Sequence, residues 1–102
     1  LIYAVSHHDG TLWAIDRRTD QRFPVMVPDG VAVGQVAVSG GRVVIADRNG
    51  AVYEGLGVRA PFTRVPWRRV VGMRHLRSLQ ALADGSILGV DTNGRLVIGR
   101  PS

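Results

Sequence analysis

The stretch Gly41-Arg-Val-Val-Ile-Ala-Asp47-Arg-Asn-Gly-Ala-Val-Tyr53 decides the architecture. A four-residue apolar run stands between a Gly-Arg pair and an Asp, and a second apolar run follows Arg-Asn-Gly. Short runs rich in Val and Ile, punctuated by turn residues, read as strands rather than helical turns. Asn49-Gly50 tolerates the positive φ that a tight hairpin turn needs, so the stretch reads as two antiparallel strands joined by that turn.

The same punctuation recurs outward in both directions. Asp9-Gly10, Gly40-Gly41, Asp84-Gly85 and Asn93-Gly94 each separate two apolar runs. The expected strands are 1–5, 11–15, 22–27, 35–39, 42–46, 51–54, 70–73, 79–82, 86–90 and 95–98. Pro24 cannot donate to a ladder, which holds the third strand at an edge or in a bulge. Residues 55–66, with Pro61 and Pro66, read as a loop or a connection between units. A short helix over 74–82, on Met73, Leu76 and Leu79, is the one competitor to a strand.

Aligned on an Asp, three segments match. They are Gly10-Thr-Leu-Trp-Ala-Ile-Asp16, Gly41-Arg-Val-Val-Ile-Ala-Asp47 and Gly85-Ser-Ile-Leu-Gly-Val-Asp91. Two continue alike, as Asp47-Arg-Asn-Gly and Asp91-Thr-Asn-Gly; the first continues Asp16-Arg-Arg-Thr-Asp20, without Gly. The aspartates stand 31 and 44 residues apart, so the repeat is degenerate. A two-strand unit cannot bury its apolar face alone and must stack on copies of itself. An Asp at a strand end accepts hydrogen bonds from backbone N–H groups of the following turn, so the repeated Asp is first a structural residue.

Composition bounds the rest. The 102 residues suffice for one small all-β domain over 1–102, and 45% hydrophobic with 21% charged residues is a globular balance. No apolar run approaches the roughly 18 residues of a membrane helix, and no membrane partner is expected. Leu1 stands where an initiator Met would, and the chain reads as a processed product or a piece of a longer one. With no cysteine, disulfides, thiolate metal sites and Cys nucleophiles are excluded. The formal net charge is +5, every basic residue is Arg, and six of the thirteen fall between Arg59 and Arg77. Such a cluster attracts polyanions, and an Arg-for-Lys bias also follows from GC-rich coding.

The segments Gly-Thr-Leu-Trp-Ala-Ile-Asp16 and Gly-Ser-Ile-Leu-Gly-Val-Asp91-Thr-Asn-Gly-Arg-Leu96 resemble the blade motif of tectonin and tachylectin-type β-propellers. Trp67, Val70, Gly72 and Leu76 are similar to the opening of such blades. Pro28-Asp-Gly-Val-Ala-Val33 with Val43-Val-Ile-Ala-Asp47 is closer to the NHL-type pattern. The resemblance implies antiparallel hairpin repeats, about two and a half blades at this repeat length, in a chain that cannot close a ring of four to eight blades alone. It would form part of a larger propeller or assemble with copies of itself. The alternative is a β-prism of the bulb-lectin type, whose mannose motif is approached by Asp47-Arg-Asn49-Gly-Ala-Val52-Tyr53 one residue out of step.

Candidate chemistry is sparse. His7-His8 beside Asp9 could hold a metal, but neighbouring residues of an extended segment point to opposite sides, and a solvated turn is the simpler reading. Asp47-x-Asn49 and Asp91-x-Asn93 begin like calcium loops without the later ligands. Glu54 is the only Glu, and Ser6, Ser39, Ser78 and Ser86 have no nucleophile-elbow context, so no enzyme and no cofactor is expected. Tyr3, Trp13, Tyr53 and Trp67 could stack on sugars; the repeat position of Trp13 points instead to packing between units. Trp67, Arg68 and Arg69, next to Pro66, are the expected ligand-binding residues. The expected role is a non-enzymatic recognition or scaffolding module, lectin-like toward carbohydrate or binding an acidic protein surface, within a homo-oligomer or larger assembly. The alternative is an Arg-rich component binding nucleic acid or another polyanion.

Overall fold

The computed structural model describes residues 1–59 and 61–99. Among them lie ten strands and no helix. They are β1 (Ile2–Val5), β2 (Leu12–Ile15), β3 (Arg22–Pro24), β4 (Val33–Ser39), β5 (Arg42–Asp47), β6 (Ala51–Leu56), β7 (Trp67–Arg74), β8 (Leu76–Ala81), β9 (Ile87–Asp91) and β10 (Leu96–Gly99). All pairings are antiparallel between sequence neighbours, in three separate sheets: β1-β2-β3, β4-β5-β6-β7 and β8-β9-β10. The sheets are called first, middle and last below. Residues 74–82, where a helix competed on paper, run as the end of β7 and as β8.

The three Gly-to-Asp segments become β2, β5 and β9, the second strand of each sheet. The repeated Asp does the same work each time. Asp16 Oδ1 accepts from the Arg18 amide at 2.9 Å, Asp47 from Asn49 at 3.2 Å and Asp91 from Asn93 at 2.9 Å. Asn93 and Asn49 are followed by Gly94 and Gly50 at positive φ. The first unit lacks that Gly and uses a turn one residue longer. Its Asp20 takes φ 60°, a conformation Asp tolerates, and donates its amide to the Asp16 carbonyl at 2.8 Å. The unequal repeat spacing has an equally local cause: among the described residues only the middle sheet carries a fourth strand, reached through the long segment 57–66.

The sheets pack in series. Leu12, Ala14, Val33, Val43 and Ile45 are buried in the seam between first and middle sheets. Val44, Ala46, Val52, Met73 and Ile87 are buried between middle and last. Alternation along β5 sends Val43 and Ile45 to one seam and Val44 and Ala46 to the other. Segment 57–66 is not a bare connection: Phe62 is 1% exposed and fills the first seam, edge-on to Tyr3 and beside Phe23.

Strand count sets how the sheets meet. The first sheet has three strands, so the chain leaves it at the end where β1 finished. There β4 begins: the Val33 amide donates to the Gly10 carbonyl at 3.0 Å, and the Arg48 guanidinium reaches the His7 carbonyl. The middle sheet has four strands, so the chain returns to the end where β4 began. There Gln35 Nε2 donates to the Leu76 carbonyl at 3.0 Å, at the start of β8. Hence the first strands β4 and β8 run the same way, while β1 runs against β4.

One polar device crosses the second seam. Arg42, 9% exposed at the start of β5, donates to the carbonyls of Leu82, Gly85 and Ser86 in the β8–β9 turn. Its charge faces Glu54 Oε2 at 3.5 Å, and Glu54 is itself 8% exposed. Arg68, half exposed, pairs with the other Glu54 oxygen at 2.6 Å. Removing Arg42 takes the buried donor from one Glu54 oxygen and three turn carbonyls, although Arg68 still pairs the other oxygen, whereas a half-solvated pair adds little. Arg42→Ala is therefore expected to lower unfolding free energy by about 3 kcal/mol. Arg68→Ala is expected to cost under about 1 kcal/mol. Urea denaturation of the two variants compares them; equal losses would mean that Arg42 does not join the sheets.

Candidate functional site

The groove of greatest volume among those described, about 620 Å³, opens where the β3–β4 connection meets the start of β7. Its walls are Met26, Pro28 and Asp29 on one side and Arg64, Pro66 and Trp67 on the other. Trp67 is the fixed element. Its Cα faces Gly55 across the β6–β7 ladder. A Cβ on Gly55 would sit 3.1 Å from the Trp67 six-membered ring and 2.9 Å from Val65 Cγ1, so only Gly leaves room for the indole there. The indole N–H is already spent on the Met26 carbonyl. The side chain is half-buried and packs against the first seam. A ring held on one side by backbone and at its edge by a hydrogen bond loses little rotamer freedom when a ligand arrives. Asp29 and Arg64, both exposed, place an acceptor and a fork of donors at the rim.

Strand alternation sets Arg68 apart from the other two residues expected to act together, since Trp67 and Arg69 share one face of β7. Trp67 lines the groove. Arg68 points to the opposite face and is held by Glu54. Arg69 borders a different hollow of about 450 Å³, made by a bulge in β7. There the pairing jumps from Tyr53↔Arg69 to Ala51↔Arg74, so Val71 and Gly72 bow outward, Gly72 at φ 89° and Val71 91% exposed, while Met73 stays in the seam. Asp29 and Arg64, which line the groove with Trp67, carry no local sequence signal that joins them to it. Asp29 lies far from Trp67 along the chain, and only the folding of segment 57–66 onto the β3–β4 connection brings them to one groove.

Other candidates resolve into turns. His7 and His8 are exposed, and Asp9 accepts from the Thr11 amide at 3.0 Å. That backbone bond, with help from the Thr11 and Ser6 hydroxyls, holds the Asp9 carboxyl below the usual carboxylate range. No group of three His, Asp or Glu gathers among the described residues. Trp13 does not sit between sheets. It lies on the face of the first sheet turned away from the middle sheet, because the reversed entry of β4 puts Leu12 and Ala14, not Trp13 and Ile15, into the seam.

No protein-family model, curated protein or solved structure matches the chain.

The fit of Trp67 on Gly55 is open to a direct check. In a Trp13→Phe background, where Trp67 alone reports, Gly55→Ala should shift the emission to the red and lower stability by about 1–3 kcal/mol through overpacking. Unchanged emission and stability would mean that the ring does not rest on residue 55.

Proposed function

We propose that the chain is a non-enzymatic recognition module that binds carbohydrate in the Trp67 groove, as part of an oligomer or larger assembly. The observation that carries this reading is the immobilised Trp67 ring in an open groove that Asp29 and Arg64 also line. A sugar offers an apolar face to an aromatic ring and hydroxyls to donors and acceptors at its edge, and the groove supplies both. A role outside catalysis fits the only Glu: both Glu54 oxygens are taken by arginines, on the face of β6 away from the groove.

The blade reading of the fold is part of the proposal. Two seams in series, with β5 covered on both faces, are how successive blades stack; a prism would gather three sheets on one shared core. The middle and last sheets also start at the same end, as neighbouring blades of a tectonin-like or NHL-like propeller would. The first sheet, entered from the opposite end, stacks against them in reverse.

A glycan array tests the groove. Binding of some neutral glycan is expected, weakened at least tenfold by Trp67→Ala and unaffected by Arg68→Ala. A protein that binds no glycan loses the carbohydrate reading.

A second reading rests on separate residues. Arg69, Arg74 and Arg77 are exposed along β7 and β8 and form no ion pair among the described residues. They would bind a polyanion such as nucleic acid through its phosphates. Heparin or single-stranded oligonucleotide retention should then fall steeply with salt and drop in the Arg69→Ser/Arg74→Ser/Arg77→Ser variant. Retention equal to that of the parent would remove this reading.

A further inference from the structure

Among the described residues, the seams leave two apolar sheet faces with no sheet packed on them. On the last sheet, Leu79, Ala81, Ile87 and Val97 turn toward the middle sheet. Alternation and register therefore put Leu88, Val90, Leu96 and Ile98 together on the other face, with Ser78 and Gln80 beside them. Leu96 is 66% and Ile98 51% exposed, and no charged side chain stands among these six. On the first sheet, Tyr3, Val5, Leu12 and Ala14 face inward, which leaves Ile2, Ala4, Trp13, Ile15 and Pro24 paired across the outward face. Arg22 is the one charge, at its rim.

The repeat says what covers such a face. By the Gly-to-Asp alignment, Leu88 and Val90 are the counterparts of Val44 and Ala46. Those two are 0% and 4% exposed because another sheet of the same chain lies on them. A face built to the same pattern takes the same kind of cover, a three-stranded apolar sheet. One sheet face of that kind is left over in each molecule, the outward face of the first sheet. We infer that a second copy of this chain covers the last sheet, docking through the Trp13–Ile15 face of its own first sheet. One contact, repeated head to tail, then covers both open faces of every copy, and it yields a closed ring or a filament according to the rotation between copies. A face-to-face pair of last sheets would leave every Trp13 face bare. Among the described residues the two faces between them carry only Arg22, so no pair of like charges is buried at the contact itself.

This inference rests on the assembly part of the proposed function and not on the groove. Its test uses sedimentation velocity at tens of micromolar. The parent chain should run as a multiple of its 11.0 kDa mass. Leu96→Arg disables the last-sheet face and Ile2→Arg the first-sheet face; both sites are exposed, so folding is retained, and circular dichroism confirms it. Trp13→Arg serves as a second first-sheet variant. Each variant alone should be monomeric, and a mixture of Leu96→Arg with Ile2→Arg should give a one-to-one dimer, because each partner keeps the face that the other lacks. A monomeric parent overturns the inference. So does assembly of both first-sheet variants alone, which would signal a contact between two last sheets, and so does a mixture that stays monomeric. Glycan binding measured on the monomeric variants keeps the two questions apart, since neither substitution touches the groove.

Discussion

Strand β5 has no side turned to water. Val43, Val44 and Ile45 are at most 1% exposed and Ala46 4%, although consecutive residues of a strand point in opposite directions. A strand apolar on both faces is stable only as the filling of a three-layer stack, so the first and last sheets are conditions of the middle one. Fully burying a Val or Ile is worth roughly 1.5–3 kcal/mol, and only a second sheet on each side makes that burial available. Arg42 adds direction to this stacking. Apolar faces slide on one another at small cost, whereas a guanidinium that must meet three carbonyls of the β8–β9 turn accepts one position.

The number of strands in a meander then acts as a switch on everything downstream. Each strand reverses the chain, so an even sheet returns it to the starting end and an odd one does not. Three strands in the first sheet reverse the sense of entry into the middle sheet and, with it, the parity of inward and outward residues. The same repeat position turns into a seam as Val44 and away from one as the half-buried Trp13. A shared Gly-to-Asp pattern fixes strand and turn but does not decide which face meets a neighbour.

That distinction also separates what was legible in the sequence from what was not. Turn chemistry is local, and the hairpins at Asp9-Gly10, Gly40-Gly41, Asn49-Gly50, Asp84-Gly85 and Asn93-Gly94 announced ten strands, near where they lie. Errors came where tertiary context overrides local pattern. β3 stops at Pro24 because Met26 turns its amide to the Phe62 carbonyl. β7 starts at Trp67 rather than 70, because Gly55 opens a place for the indole on the neighbouring strand. Phe62, isolated between prolines, gave no periodic signal and yet fills a seam. Trp67, Arg68 and Arg69 are adjacent in sequence, but alternation turns Arg68 away from the face that Trp67 and Arg69 share, and Arg69 borders the hollow at the β7 bulge rather than the groove.

The groove and the seams draw on the same residues in different proportion. Trp67 is held in place by Gly55 and by the Met26 carbonyl, and behind it stands the first seam with Phe62. A groove carried on a connection would ordinarily be mobile, but here both walls are pinned: Met26 donates its amide to the Phe62 carbonyl while accepting from the indole. One residue thus ties the β3–β4 connection to segment 57–66 and to β7 at once. The ordering cost of the groove is met during folding, by burial of Phe62, rather than at the moment of binding. Change at the exposed rim, at Asp29 or Arg64, can therefore alter the chemistry of the groove without loosening the stack that shapes it.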